Sequence, residues 1–119
     1  MRHKVKSVRL NRPKAQLRAL VRSLATSLVL YESIETTRDK AKLVRGYVDR
    51  IITHAKKSDT VNAIRYVNEF LLDKNASKKV MEELVPRFEK RTSGFTRYVN
   101  TRIRKGDNAQ LVLFQLLNN

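Results

Sequence analysis

The sequence predicts an α+β chain whose elements run in the order α-β-α-α-α-β-β. Three observations carry this. Apolar residues recur at three- and four-residue spacing through most of residues 13–88. After Gly94 the period falls to two, as strands require. Between the last two strand segments stands Arg104-Lys105-Gly106-Asp107-Asn108, which has turn chemistry.

The first helix is expected from Pro13 to about Leu30. Leu17, Leu20, Val21, Leu24 and Leu28 form its apolar stripe, with Asn11 and Pro13 as the start signal. Lys14, Arg18 and Arg22 follow one another by four, so they make a second, basic stripe beside the apolar one. Tyr31 to Thr37 is a short strand candidate around Ile34. Thr36-x-x-Asp39 fits a capping box for a second helix. Its broad face is Ala41, Val44, Tyr47, Val48, Ile51, Ile52 and Ala55, ending at Lys56-Lys57. Ser58-Asp59-Thr60 caps a third helix through Val61, Ile64, Val67 and Leu71. A polar break at Asp73 to Asn75 precedes a fourth, carried by Val80, Met81, Leu84, Val85 and Phe88, which Pro86 should kink or end early.

In residues 96–104, Val99 and Ile103 alternate with Tyr98, Asn100, Arg102 and Arg104, a strand with one wet face and its apolar residues on the other. Leu111 to Leu117 is apolar on both faces apart from Gln115. Such a strand must be covered on both sides or lie inside the sheet, so the two strands make a C-terminal hairpin. Residues 1–12 read as an extended basic arm ahead of one globular domain at 13–119. There is no internal repeat and no composition break between the elements.

Charge is the strongest functional signal. Lys and Arg number 26 against 11 Asp and Glu, a formal net charge of +15. A folded chain so charged repels itself and is most stable beside a polyanion. Nucleic acid, an acidic membrane surface or an acidic protein would each serve. There is no Cys, which excludes disulfides, thiolate zinc sites and cysteine nucleophiles. No apolar run approaches the roughly 18 residues of a membrane span, and no signal-type segment follows the basic start, so a cytoplasmic location is expected.

Catalysis finds little to work with. The two histidines are His3 in the arm and His54 near the end of the second helix, where a surface or packed histidine is expected. Glu82 and Glu83 are adjacent, about 100° apart on a helix, which is poor geometry for paired acid–base work. No phosphate-binding loop, zinc-protease or nucleophile-elbow motif occurs. No enzyme, cofactor, metal or small-molecule substrate is expected.

Nucleic-acid binding accounts for more. Arg2, Lys4, Lys6, Arg9 and Arg12 in the arm, Lys14, Arg18 and Arg22 on the first helix, and Arg97, Arg102, Arg104 and Lys105 in the hairpin form three separate basic surfaces. Phosphate neutralisation needs such distributed cations. Tyr31, Phe95 and Tyr98 could stack on unpaired bases, which favours RNA over duplex DNA. A DNA-binding regulator and an RNA-modifying enzyme are the alternatives. The first would prefer duplex DNA, and the second would need a reactive pocket.

Several segments resemble one family. Met1-Arg2-His3-Lys4, Leu10-Asn11-Arg12, Leu24-Ala25-Thr26-Ser27-Leu28, Glu32-Ser33-Ile34-Glu35-Thr36-Thr37 with Lys40-Ala41-Lys42, and Ile51-Ile52-Thr53-His54-Ala55-Lys56 are similar to the L-seventeen family of bacterial large-subunit ribosomal proteins. Pro86-Arg87-Phe88, Gly94-Phe95-Thr96-Arg97 and Arg104-Lys105-Gly106-Asp107-Asn108-Ala109 extend the match nearly end to end. The chain departs from the family pattern at Gln16-Leu17, where a His-Arg pair is common, and at Leu43, where Glu is usual. It departs again at Ser93 and Phe95, where Gly and Tyr are usual.

The resemblance implies a two-layer α/β sandwich with helices on a small mixed sheet. It also implies a structural role in the large ribosomal subunit near the polypeptide exit, bound to large-subunit ribosomal RNA and touching neighbouring ribosomal proteins. The family's motifs fall on Arg2, His3, Lys4 and Arg12, on Thr36, Thr37, Lys40 and Lys42, and on Thr96, Arg97, Arg104 and Gly106.

Overall fold

The computed structural model describes Met1, His3 and residues 8–118. Helix α1 spans Lys14–Tyr31, strand β1 Ser33–Thr37, helix α2 Arg38–Lys57 and helix α3 Thr60–Phe70. Helix α4, Lys74–Lys79, runs through a π-turn at Val80–Leu84 into a last helical turn, α5, Val85–Arg87. The hairpin β2–β3 follows at Thr96–Ile103 and Gln110–Leu116. Element order and type agree with the sequence reading.

β3 lies at the centre of the sheet, in the order β1-β3-β2, and pairs antiparallel with both neighbours. The sheet is therefore antiparallel throughout and not mixed. The last strand enters between the first two, and each edge strand runs against it. An interior strand was one of the two placements that the continuous apolar run allowed, and β3 takes it. On one face Val112, Phe114 and Leu116 are buried against the helices.

Helices α1 and α2 supply the second layer. Val21, Ala25, Leu28 and Val29 of α1, and Ala41, Val44, Val48, Ile51, Ile52 and Ala55 of α2, join the β3 residues in one buried cluster. Each fully buried Leu or Ile contributes about 1.5–3 kcal/mol. The cluster continues through Val67 and Leu71 to Val80, Leu84, Phe88 and Phe95. The Phe88 and Phe95 rings meet at 5.0 Å in a tilted pair that ties the end of α5 to the start of β2.

Three local expectations change. The cap of α2 is Thr37, not Thr36, and its side chain makes no capping bond. Thr36 is held in β1 opposite Val112, and the third helical residue after Thr37 is the cation Lys40, so no capping box closes. Pro86 lies in the last helical turn, which ends one residue later at Arg87. The π-turn comes first, with the Val85 N–H reaching Val80 O, and it widens the helix where the proline ring would meet the carbonyl four residues back.

At Tyr98 and Val99 the faces of β2 are the reverse of those read from the sequence, whereas Arg102 lies on the open face as expected. Tyr98 stands opposite Phe114 and packs on the core, while Val99 stands opposite Leu113 on the open face, 51 % exposed. A bulge between Asn100 and Arg102 then brings Arg102 opposite Leu111, onto the face of Val99. Finally, the junction of the arm with α1 is a tight turn and not extended chain. Leu10 and Asn11 both adopt left-handed φ, near 51° and 53°, and Arg12 N–H bonds Arg9 O at 3.1 Å in a turn that leads into α1.

Candidate nucleic-acid interface

Arg2, Lys4 and Lys6 lie outside the described residues. His3 is exposed in the arm. Arg9 and Arg12 flank the Leu10–Asn11 turn, which sets Val8 and Arg9 beside the first turn of α1 and the middle of α2.

That approach creates a groove of about 820 Å³ lined by Val8, Arg9, Arg12, Pro13, Lys14, Leu17, Lys42, Leu43, Gly46, Tyr47 and Arg50. Five cations line it, Arg9, Arg12, Lys14, Lys42 and Arg50, and no acid does. Helical spacing sets the α2 wall. Lys42, Gly46 and Arg50 stand four apart in one row, with Leu43 and Tyr47 in the next. Sequence reasoning missed Arg50, Gly46 and Tyr47, because only the Leu10–Asn11 turn places them opposite Arg9 and Arg12. Leu17 and Leu43, two positions at which the chain departs from the family pattern, both line this groove.

The basic stripe of α1 borders the groove. Lys14, Ala15, Arg18, Ala19 and Arg22 line a shallow depression in which the cations alternate with small side chains. Lys14 and Arg18 are exposed. Arg22 is half-buried and otherwise engaged. Its Nε donates to the Phe70 carbonyl and its Nη2 to the Glu69 carbonyl, each at 3.0 Å. It therefore satisfies carbonyls at the end of α3 that have no helical partner. Beside it, Thr26 accepts the Leu72 N–H at 3.1 Å and closes the same corner.

Thr36 and Thr37 are half-buried at the β1–α2 junction, Lys40 is half-buried and Lys42 is exposed. On the hairpin, all four predicted cations are exposed, and three have partners. Arg102 Nε bonds Glu35 Oε1 at 3.1 Å, and Arg104 grips Asp107 through two bonds of 2.9 and 2.6 Å. Arg97 lies against the amide of its cross-strand neighbour Gln115. The Arg104 pair holds the Asp107 carboxyl down to about 2, with help from the Ala109 N–H. Of the hairpin cations, Lys105 has its charge in the open turn.

His54 is packed on the surface, as expected. Its ring stacks on Tyr66 at 3.9 Å, and Nδ1 faces Ser58 Oγ at 3.0 Å. Among the described residues no cluster of His, Asp and Glu could hold a metal ion, and no helix is long and apolar enough to cross a membrane.

The three basic surfaces separate into two kinds. The groove and the α1 face are free of acids, whereas Glu35 and Asp107 partly neutralise the hairpin. Comparison with known proteins agrees with a ribosomal assignment. The family model described as "Ribosomal protein L17" matches residues 20–117. The "Large ribosomal subunit protein bL17" of Campylobacter jejuni subsp. jejuni (strain 81-176) is 44% identical over 117 residues, covering 98% of this chain and 99% of its own. The proteins of the same name from Hydrogenobaculum sp. (strain Y04AAS1) and Helicobacter hepaticus are 44% and 38% identical, each over 98% of this chain and over 99% and 100% of their own length. The chain belongs to the ribosomal protein L17 family, and its role is structural rather than enzymatic.

Proposed function

We propose that the chain is built into the cytoplasmic large ribosomal subunit, near the polypeptide exit, where it binds large-subunit ribosomal RNA and contacts neighbouring ribosomal proteins. The observation that carries the RNA reading is the acid-free continuity of the arm, the groove and the α1 face. Arg9, Arg12, Lys14, Arg18, Lys42 and Arg50 are exposed there, and the groove and depression they line include no carboxylate. Phosphates approaching this side meet cations whose charge is not already spent internally, and each neutralised phosphate releases a counterion. The folded core fixes the relative positions of these cations, so they select a backbone geometry and not a base sequence.

The hairpin is assigned a secondary RNA contact through Arg97, Lys105 and whatever share of Arg102 and Arg104 the local acids release. The arm cations Arg2, Lys4 and Lys6, with His3, extend the main surface, and Thr36, Thr37 and Lys40 border it. Val99 and Leu113, side by side on the open face of the sheet, are assigned to a neighbouring ribosomal protein.

Sedimentation of a lysate through sucrose gradients at low and high salt tests this reading. Comigration with the large subunit that survives the high-salt wash is the expected result. Release at high salt, or migration with free RNA or DNA, would refute a built-in role.

A further inference from the structure

We propose that the groove between the arm and α2 takes an unpaired RNA nucleotide, its base on the apolar floor and its flanking phosphates on the cationic rim. This rests on the RNA-binding reading above and names the form of RNA that the groove fits. Phosphate binding by itself needs only cations, and the α1 face offers that, with nothing larger than Ala15 and Ala19 between Lys14, Arg18 and Arg22. The groove differs. Its cations surround a concave floor of Val8, Leu17, Leu43 and half-buried Tyr47.

A paired A-form helix presents phosphates and a shallow minor groove, and it puts nothing apolar into such a cleft. An extruded base has two apolar faces and fits. The volume of about 820 Å³ lies in the range that accepts a drug-sized ligand, roughly 300–1,000 Å³. Arg50 extends over the Tyr47 ring, 5.7 Å from its centroid, and gives the site a planar guanidinium beside an aromatic. Bases stack on both kinds of surface.

Gly46 keeps the groove open. It lies one helical turn from both Lys42 and Arg50, and a Cβ built there meets no atom within 4 Å. A glycine inside a helix is unfavourable, and here no packing requires one. A larger side chain would therefore fold and project into the space.

The test uses fluorescence anisotropy at one salt concentration with two probes, an RNA hairpin carrying a single bulged uridine and the same hairpin fully paired. The full chain is expected to bind the bulged hairpin about tenfold more tightly. Gly46→Leu, a better helix former, is expected to abolish the difference between the two hairpins, lowering affinity for the bulged one about tenfold more than for the paired one. Equal binding of both hairpins by the unmodified chain would overturn the inference and leave RNA binding standing. So would a bulge preference that survives Gly46→Leu, or an equal loss for both hairpins. Failure to bind either hairpin would overturn the inference and the RNA reading together.

Discussion

The Arg87 guanidinium holds the Glu32 carboxylate in a two-pronged pair, at 3.1 and 3.0 Å, across 55 residues of sequence. Lys79 Nζ adds a third cationic contact at 2.9 Å. Glu32 also turns the chain from α1 into β1 with a left-handed φ of 61°, and its carbonyl accepts the Leu116 N–H at 2.9 Å. One residue thus joins α1, the α4–α5 segment and the sheet.

This pair makes stability depend on acid pH. Arg87, then Lys79, hold the Glu32 carboxyl down to about 2 from its ordinary 4.5. A lowered carboxylate pKa contributes stability that is present above the unfolded value and lost as pH falls from 4.5 toward 2. The full shift corresponds to about 3 kcal/mol, and solvent screening of a side chain 32 % exposed reduces this to about 1–2 kcal/mol. Urea denaturation should show Glu32→Gln less stable by that amount at pH 7 and equal to the unmodified chain near pH 2. A difference that persists undiminished in acid would refute the pairing as its cause.

Arg22 and Arg18 share a helix face but should respond differently to truncation. Arg22→Ala removes the donors to the Phe70 and Glu69 carbonyls and is expected to cost about 1–3 kcal/mol, with little change in the salt dependence of RNA binding. Arg18→Ala should leave stability unchanged and lower the slope of log K against log salt by roughly 0.7–0.9. Thermal melts and a salt titration on both variants decide this, and identical behaviour would contradict the division of roles.

On the hairpin, Asp107 competes with phosphate for Arg104. Asp107→Asn removes the charge that grips the guanidinium, while an amide oxygen can still accept the Ala109 N–H. The expected result is tighter RNA binding at low salt and a steeper salt slope, with Arg104→Ala changing the slope little in the unmodified background. Arg12→Ala, in the acid-free groove, should flatten it. Equal slopes for Arg12→Ala and the unmodified chain would count against the groove.

Thr96 carries the one buried side-chain oxygen without a hydrogen-bond partner among the described residues. Its backbone is fixed opposite Leu116 at the start of β2. Thr96→Val keeps the shape and removes a desolvated hydroxyl, so stability should rise by about 1 kcal/mol. A melting temperature that falls would show that the hydroxyl has a partner in the folded chain.

Much of this molecule was legible from local pattern. The stripe of Leu17, Val21, Leu24 and Leu28 announced α1, and the run from Leu111 required a strand covered on both sides or interior to the sheet, and β3 proved to be the central strand. The strand faces at the start of β2 were not legible. Val99 looks apolar and therefore inward, but pairing with Leu113 turns it outward, while buried Thr96 and core-packed Tyr98 occupy the inner face. Register is set by the partner strand, and one residue's shift exchanges the faces.

The sequence by itself determined the kinds and order of the elements and the excess of positive charge, because periodicity and charge belong to neighbouring residues. Only the tertiary structure decided which cations remain available to a partner. Arg22 is engaged by carbonyls 47 and 48 residues away, and Arg102 by an acid 67 residues away. Arg50, unremarkable in the sequence, gains its place when the Leu10–Asn11 turn brings Val8 and Arg9 beside α2. A hydrogen-bond partner is chosen by distance in space, and composition carries no record of that distance.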